Sequence, residues 1–394
     1  MKNRFFILFV YFLVSQAHAA EWSGYVAFEG QLFNHDPLFT NQEDNNLSVS
    51  ASPEYYHQWS DGDQSLTFRP FARLDLSDTE RSHFDIRELM YFHKMDNWDL
   101  KAGIGKVFWG VTESQHLVDV INQTDLIESL DAEEKLGQPM LSASMARDWG
   151  NLDLFILPGF RTRTFPGSDG RLRTEPRVDT DQEQYSSGKA EKHIDYAVRY
   201  NKTIDDWDIG LSYFYGTNRE PRFIAGVDNN TNPVLIPVYD LLHQTGLDLQ
   251  WVHDAWLWKL ETVHRRISSQ SYNASTFGFE YTLVGIGDSN KDLGLISEYL
   301  YDSRGDQATT PFQRDIMVGA RLVFNDTQSS EILAGVIVDQ DDHQRIYSLE
   351  ASTRLTDNWK LNVEARIFSG LPSSSLFYSL RDDDLVQLEL LYYF

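Results

Sequence analysis

The sequence predicts an all-β protein: a transmembrane antiparallel up-and-down β-barrel of about 18 strands, with about 16 as the alternative. Three observations support this prediction. Segments of about ten residues alternate apolar and polar side chains with a period of two. Short and long connections alternate between these segments, and the last segment is itself an amphipathic strand.

The N-terminal segment is typical of a secretory signal peptide. Basic residues precede an apolar run from Phe5 to Val14, and a small-residue cleavage site follows at 17–19. The apolar run is too short to span a bilayer. We therefore expect residues 1–19 to be removed and residues 20–394 to form one outer-membrane barrel domain.

The strand assignment depends on which side chains share a face. In SLTFRPFARLDL, Leu66 and Leu74 fall on one face, whereas Arg69 and Arg73 fall on the other. A helix would mix these two sets. The same alternation predicts strands near 22–33, 48–59, 65–76, 83–93, 98–108, 140–148, 151–160, 192–201, 206–215, 242–252, 256–266, 272–283, 292–302, 314–325, 330–339, 345–355, 358–368 and 385–394.

The connections predict the orientation of the barrel. Short ones such as HKMDNW, NKTIDDW and TDNW are rich in the Asp and Asn that tight turns need. The longest lie near 109–139, 161–191, 216–241 and 369–384. Because outer-membrane barrels have short periplasmic turns and longer external loops, we expect both termini in the periplasm.

Tryptophan recurs in the short turns, at or beside the start of the following strand. This placement predicts an aromatic girdle at the periplasmic rim, where an amphipathic ring suits the membrane interface. The alternative is that Trp is merely a good strand residue. The predicted girdle residues are Trp98, Trp149, Trp207, Trp256 and Trp359.

The C-terminal segment LVQLELLYYF resembles the signature by which the barrel-assembly machinery of Gram-negative bacteria recognises its substrates. The resemblance implies that Tyr392 and Phe394 form an assembly signal, and that the mature protein is integral to the outer membrane. A soluble secreted sandwich or barrel is the rival all-β fold. It predicts an apolar interior, but here the face opposite the aliphatic one carries many charges.

Composition excludes several classes of protein. A net charge of −25 argues against nucleic acid as a partner. With no cysteine there is no disulfide framework, and the mature chain has no apolar run long enough for a membrane helix. We predict no cofactor, metal or enzymatic activity: the acidic turns lack the spacing of a calcium loop, and the Asp341-Asp342-His343 cluster lacks a second acidic partner.

The stretch GKVFWGVTESQHLVDVINQTDLIESLDAEEKLGQPM breaks the period of two. A capping box begins at Thr112, and Leu117, Val120 and Ile121 share one helical face. A second short helix is indicated further along. The pattern predicts a partly helical insert over 111–138, which folds into the lumen because its apolar face would otherwise stay wet.

Acidic residues of this insert would face arginines on the inner wall. Opposed charges across a constriction impose a transverse field that selects permeants by charge, as in a porin eyelet. The alternative is that the lumen charges simply pair with one another. The predicted constriction residues are Glu113, Asp119, Asp125, Glu128, Arg69, Arg73 and Arg87.

The external segment GFRTRTFPGSDGRLRTEPRVD concentrates arginine. These side chains could attract anionic solutes to the mouth by electrostatic steering, or contact the phosphates of lipopolysaccharide and outer-membrane lipid. The residues are Arg161, Arg163, Arg171, Arg173 and Arg177.

The Trp109-Gly110 pair, followed by Ile121-Asn122 and Asp125, is similar to an uncharacterised family of large outer-membrane barrels in proteobacteria. The usual Pro after the Asn is Gln123 here. Members of that family are often encoded beside an RND-type exporter and a periplasmic LolB-like protein. The resemblance implies periplasmic and inner-membrane export partners and traffic of a hydrophobic molecule.

Two functions are therefore expected. The first is porin-like passage of small polar or charged solutes through a bore narrowed by residues 111–138. The alternative is a conduit for lipid or other hydrophobic molecules, working with export partners. The bore lining distinguishes them: a porin needs a continuous polar path, whereas a hydrophobic conduit needs an apolar pocket or a lateral opening.

Overall fold

The computed structural model describes residues 20–394, so the predicted signal peptide lies outside the described residues. The strands, in chain order, are β1 (Ala20–Phe33), β2 (Asn45–Trp59), β3 (Gln64–Asp75), β4 (His83–Lys94), β5 (Asp99–Gly105), β6 (Gln138–Arg147), β7 (Gly150–Pro158), β8 (Gln184–Tyr185), β9 (Ile194–Ile204), β10 (Trp207–Thr217), β11 (Arg222–Val227), β12 (Pro233–Tyr239), β13 (Leu241–His253), β14 (Trp256–Ile267), β15 (Gln270–Leu283), β16 (Asp292–Asp302), β17 (Arg314–Val323), β18 (Glu331–Asp339), β19 (Arg345–Arg354), β20 (Trp359–Ser369) and β21 (Leu385–Tyr393).

All strands except β8, β11 and β12 form one closed 18-stranded sheet. Each strand pairs antiparallel with its neighbours in the chain, and β1 closes the barrel against β21 from Tyr25 opposite Tyr393 to Phe33 opposite Leu385. Closure leaves no sheet edge with unpaired backbone groups, as a membrane-spanning sheet requires. The predicted barrel and its 18 strands are confirmed.

The two faces of the barrel wall differ in polarity as the alternation predicts. On β3, Leu74 is 73% exposed on the outer face, whereas the neighbouring Arg73 is 5% exposed and faces the lumen. On β17, Val318 is 53% exposed and Met317 only 6%. Aliphatic side chains therefore cover the outside, and most of the charged side chains of the wall point inward.

Short and long connections lie at opposite rims. The short rim carries the connections 60–63, 95–98, 148–149, 205–206, 254–255, 284–291, 324–330 and 355–358. The longest connections of the other rim are 106–137, 159–193, 218–240 and 370–384. The described helices are short 3₁₀ turns. Those at the long-connection rim are Thr180–Gln182, Ala190–Lys192, Gly305–Gln307 and Leu376–Leu380, and those at the short-connection rim are Ser60–Gly62 and Ile286–Asp288. No helix among residues 20–394 is long and apolar enough to cross a membrane.

A small sheet at the long-connection rim is not predicted by the sequence analysis. Strands β11 and β12 form an antiparallel hairpin, and β12 adds the short parallel strand β8. The hairpin packs inward through Tyr239, which is 1% exposed and lies 4.9 Å from Phe160, centroid to centroid. The sheet therefore joins the connections 159–193 and 218–240 into one layer at this rim.

The connection between β5 and β6, residues 106–137, is here called the lumen segment. It contains no helix, so the predicted helices over 111–138 are wrong. The chain leaves the wall after Gly105 and rejoins it at Gln138. A Cβ at Gly137 would lie 2.5 Å from the carbonyl oxygen of Arg87, so only glycine allows this close approach to β4.

Candidate pore constriction

The lumen segment crosses the interior of the barrel. Its carboxylates reach inward-facing arginines on three separate strands, with N–O distances of 2.7 Å in each case. The pairs are Glu113 with Arg321 on β17, Glu128 with Arg73 on β3, and Asp131 with Arg366 on β20. Because these strands lie on different parts of the wall, the expectation that the segment folds into the lumen is confirmed.

One wall carboxylate, Glu261 on β14, holds the start of the segment. Its Oε1 accepts hydrogen bonds from the backbone N–H of Val111 (2.7 Å) and Thr112 (3.1 Å) and from the Thr112 hydroxyl (2.8 Å). Its Oε2 accepts from the N–H of Val118 (3.1 Å). The Glu261 residue is fully buried, so these four donors supply the hydrogen bonds that a buried carboxylate needs.

A second carboxylate, Glu298 on β16, holds the next residues in the same way. It accepts hydrogen bonds from the backbone N–H groups of Glu113 (2.7 Å) and Ser114 (2.8 Å) and from the Ser114 hydroxyl (2.5 Å). These backbone donors lie where the first turn of the predicted helix would begin. Charge-assisted bonds to the wall satisfy them, so the segment is buried without forming a helix.

The apolar residues of the segment pack against one part of the wall. Val118, Val120 and Ile121 join a buried cluster with Trp109 at the segment's start. The wall supplies the inward-facing residues of that cluster: Met90, Met140, Phe155, Leu157, Ala197, Phe214, Leu242, Val263 and Ala274. Burial of this apolar surface holds the segment on the β4–β15 side of the barrel and leaves the opposite side less filled.

The predicted constriction residues fall into two groups. Asp125 pairs with Arg87 at 2.6 Å, and Glu128 pairs with Arg73, so the structure brings these predicted partners together. The other three do not combine as expected: Asp119 contacts Lys135 within the segment (3.3 Å), Glu113 reaches Arg321, and Arg69 pairs with Glu54 on β2. Many of the charges are thus in direct contact rather than opposed across a gap.

Several participating residues were missed by sequence reasoning. Glu29 on β1 accepts from Arg73 (3.0 Å) and from Arg81 (2.7 Å), and Arg81 also donates to the carbonyl oxygen of Ile127 (2.7 Å). The anchors Glu261 and Glu298 were missed as well. The alternation predicts that both side chains point inward, but it does not predict which residues of the lumen segment they bind.

Two cavities remain in the lumen beside the lumen segment. One cavity of about 470 Å³ lies beside β17–β20 and is lined by charged residues that include Glu113, Asp131, Glu350, Glu364 and Arg366. Another of about 560 Å³ lies beside β1–β4 and β20–β21. The two cavities share Asn362 and Glu364 as lining residues. The lumen is therefore narrowed but not filled by the segment.

The arginine-rich connection folds inward over the mouth instead of standing free. Arg171 is buried and donates to Asp383 (2.8 Å), and it also bonds the carbonyl oxygens of His35 and Asp382. Arg173 is buried over the ring of Phe39. These two side chains are already paired, so this conformation does not offer them to lipopolysaccharide.

The other three arginines of this connection have partners too. Arg161 donates to Asp85 (2.8 Å), and Arg163 donates to the side-chain oxygen of Gln123 (3.2 Å) in the lumen segment. Arg177 lies 3.6 Å from Asp228. Contact with anions or lipopolysaccharide therefore stays a prediction for these residues.

Two glycines in the first half of the same connection lie against a carboxylate. The Asp78 carboxylate accepts the N–H of Gly167 (3.0 Å), and a Cβ at Gly170 would lie 2.4 Å from that carboxylate. Burial raises the pKa of Asp78. Burial likewise raises the pKa of Asp383 to about 6, against the opposing effect of Arg171. Asp78 and Asp383 hold residues 167–171 of the connection to the loops after β3 and β20. These contact residues, Asp78, Gly167, Gly170, Arg171 and Asp383, are here called the latch.

The five tryptophans lie at the short-connection rim, each in a turn or at the first residue of a strand. Trp207 stacks on Trp251 with centroids 5.2 Å apart, and Trp359 lies 5.0 Å from Tyr392. Phe394 is half exposed and donates its N–H to the carbonyl oxygen of Gly24 (3.1 Å). The girdle and the assembly signal stay predictions.

Comparison with family models and with curated proteins gives no match. Among solved structures, the barrel is similar to OccK11 (OpdR) of Pseudomonas aeruginosa, at 11% identity over 94% of this chain and 95% of that chain, with a TM-score of 0.54. It also matches OmpT, an outer membrane protein of Vibrio cholerae, at 9% identity over 96% and 100% of the two chains, with a TM-score of 0.47. A mutant Rh. blastica porin matches at 12% identity over 95% and 100%, with a TM-score of 0.46. The similarity to OccK11 shows a shared barrel fold.

Proposed function

We propose that the protein is a channel of the Gram-negative outer membrane, through which small polar or charged solutes diffuse. The lumen segment narrows the bore, and its carboxylates set the charge of the passage. The apolar outer face suits a bilayer, and closure of the sheet satisfies the backbone groups that lipid could not.

The observation that carries this proposal is the polar space left beside the lumen segment. Together the two cavities are lined by charged side chains from the wall and the segment, including Glu29, Glu128, Arg69, Arg321 and Lys360. Water and ions are stable against such a lining, whereas a lipid chain is not. Acidic residues outnumber basic ones in both linings, so cations should be favoured over anions.

The test is to refold the purified mature chain into a planar lipid bilayer and to record currents across a potassium chloride gradient. We expect stepwise conductance and a reversal potential that indicates preference for cations. Absence of any conductance from correctly folded, heat-modifiable protein would contradict the proposal.

One observation favours the alternative function, a conduit for hydrophobic molecules. Ile296, Leu300 and Met317 form an apolar cluster on the inner face of β16 and β17, with Leu333 and Ile337 of β18 packed against it. Fluorescent lipid transfer between vesicles that contain the protein and acceptor vesicles would test this alternative. Transfer above the rate of protein-free vesicles would favour it over passage of polar solutes.

A further inference from the structure

The inner wall between β17 and β20 has an unusual order of side chains. The register aligns Gly319, Gly335, Ser348 and Arg366 in one inward-facing row. Two glycines and a serine project almost no side chain, so this row leaves a recess in the wall, and the end of the Met317 side chain occupies the part of it over Gly319 and Gly335. The recess opens into the cavity of about 470 Å³, because Gly335 and Ser348 both line that cavity.

The row nearer the long-connection rim is apolar. Met317 lies opposite Ile337, Ile337 opposite Ile346, and Ile346 opposite Phe368, all on the inner face. Ile296 and Leu300 extend this surface on β16. Inward-facing positions of a large barrel are normally polar, so an apolar row above a recess is a candidate surface for the apolar part of a solute.

The row on the short-connection side of the recess carries more negative than positive charge. Glu350 and Glu364 lie directly opposite each other on β19 and β20, an arrangement of like charges that is unfavourable without a cation. Arg366 is their nearest cation, at 3.5 and 4.0 Å, but it pairs more closely with Asp131 at 2.7 Å. One guanidinium therefore serves three carboxylates, and negative charge remains in excess.

The apolar and acidic groups are close enough to contact one small molecule. Leu333 of β18 lies directly opposite Glu350 of β19. Side chains at such paired positions lie about 5 Å apart. A solute whose ammonium group contacts Glu350 and Glu364 could therefore place its apolar body against Leu333 and in the recess above it.

Resting on the proposed channel function, we propose that this recess is a binding site for small organic cations with an apolar body, such as aromatic or branched aliphatic amines. The acidic row binds the ammonium group, the apolar row and the recess bind the hydrocarbon, and the channel preferentially admits this class of solute. The volume of about 470 Å³ suits a small ligand.

The experiment measures block of the single-channel potassium current by benzylammonium, with benzyl alcohol and benzoate as neutral and anionic probes of similar shape. Benzylammonium should block at a concentration at least about tenfold lower than either, equivalent to about 1.4 kcal/mol. Equal block by the charged and neutral probes would overturn the proposal. Loss of all conductance would instead contradict the channel function itself.

Two sets of variants locate the site. The double substitution Glu350→Gln with Glu364→Gln should weaken benzylammonium block about tenfold, whereas Asp254→Asn, in an exposed turn, should leave it unchanged. Ser348→Leu fills the recess and should weaken block by benzylammonium, whereas Thr353→Leu, on the outer face of the same strand, should not. Wild-type block in both the double variant and Ser348→Leu would place the blocker elsewhere and overturn the proposal.

Discussion

At the scale of single residues, the wall carboxylate Glu261 replaces the hydrogen bonds that a helix would have made. Glu261→Ala would leave the N–H groups of Val111, Thr112 and Val118 without their acceptor. A buried unsatisfied donor costs about 1–3 kcal/mol. We therefore expect the start of the lumen segment to detach, and single-channel currents in bilayers to become larger and noisier.

The control for this prediction is Asp254→Asn, which removes a carboxylate from an exposed turn far from the segment. Its currents should match those of the wild type. Quiet, wild-type currents from the Glu261→Ala variant would show that the four hydrogen bonds to Glu261 do not hold the segment.

Arg73 is the second residue whose role can be tested alone. It contacts Glu29 and Glu128, and all three side chains are buried. Removing one partner of a buried ionic cluster leaves uncompensated charge, so Arg73→Ala should lower the free energy of unfolding in lipid vesicles by about 3–5 kcal/mol.

A surface ion pair provides the comparison. Arg222 lies 2.7 Å from Asp240 but is 53% exposed in its side chain, so Arg222→Ala should cost less than about 1 kcal/mol. Urea titration of both variants measures the difference. Similar losses in the two would mean that burial does not strengthen the cluster around Arg73.

At the scale of elements, the strands were predictable and the lumen segment was not, for one physical reason. The alternation that predicts a strand involves only consecutive residues, such as the inward-facing Arg73 and the outward-facing Leu74. The conformation of the segment depends on Glu261 and Glu298, which lie more than a hundred residues further along the chain. Leu117, Val120 and Ile121 have helical spacing, but an irregular chain of turns and bends with wall-bound N–H groups buries Val120 and Ile121 equally well.

The small sheet at the long-connection rim was missed although a local signal existed. The apolar runs Arg222–Val227 and Pro233–Tyr239 flank the turn-rich residues DNNTN, a pattern typical of a β-hairpin. Its parallel partner β8 has only two residues and no comparable signal. The hairpin could therefore be predicted from the sequence, whereas β8 could not.

The latch gives a prediction about pH. The pKa of Asp383 is about 6 when the connection is closed, above the ordinary aspartate value, so the closed form binds a proton that the open form releases. Closure should therefore be favoured as the pH falls through about 6, by roughly 1–1.5 kcal/mol between pH 7 and pH 5. Opening events in current recordings should become rarer between about pH 7 and pH 5.

Asp383→Asn supplies the control because its side chain is neutral throughout this range. Its recordings should show a much weaker dependence on pH. If the variant keeps the full pH dependence, groups other than Asp383 set the equilibrium between the open and closed connection.

At the scale of the whole molecule, the rims predict which loops face the medium. The chain has no cysteine, so a single introduced cysteine reports one position. Lys189→Cys, in the connection 159–193, should react with a membrane-impermeant maleimide on intact cells, whereas Asp206→Cys, in the short turn after β9, should react only after the outer membrane is permeabilised. The reverse pattern would invert the proposed topology.

The central claim is that the lumen segment sets the width and charge of the bore. The most direct measurement compares bilayer conductance and reversal potential of the wild type with those of a variant lacking Glu113 to Glu134, after gel mobility shows that its barrel has assembled. The deleted stretch carries seven carboxylates and no lysine or arginine, and its loss frees Arg73, Arg87, Arg321 and Arg366. We predict a clear rise in conductance and a shift of selectivity toward anions. An unchanged current and an unchanged reversal potential would contradict the claim.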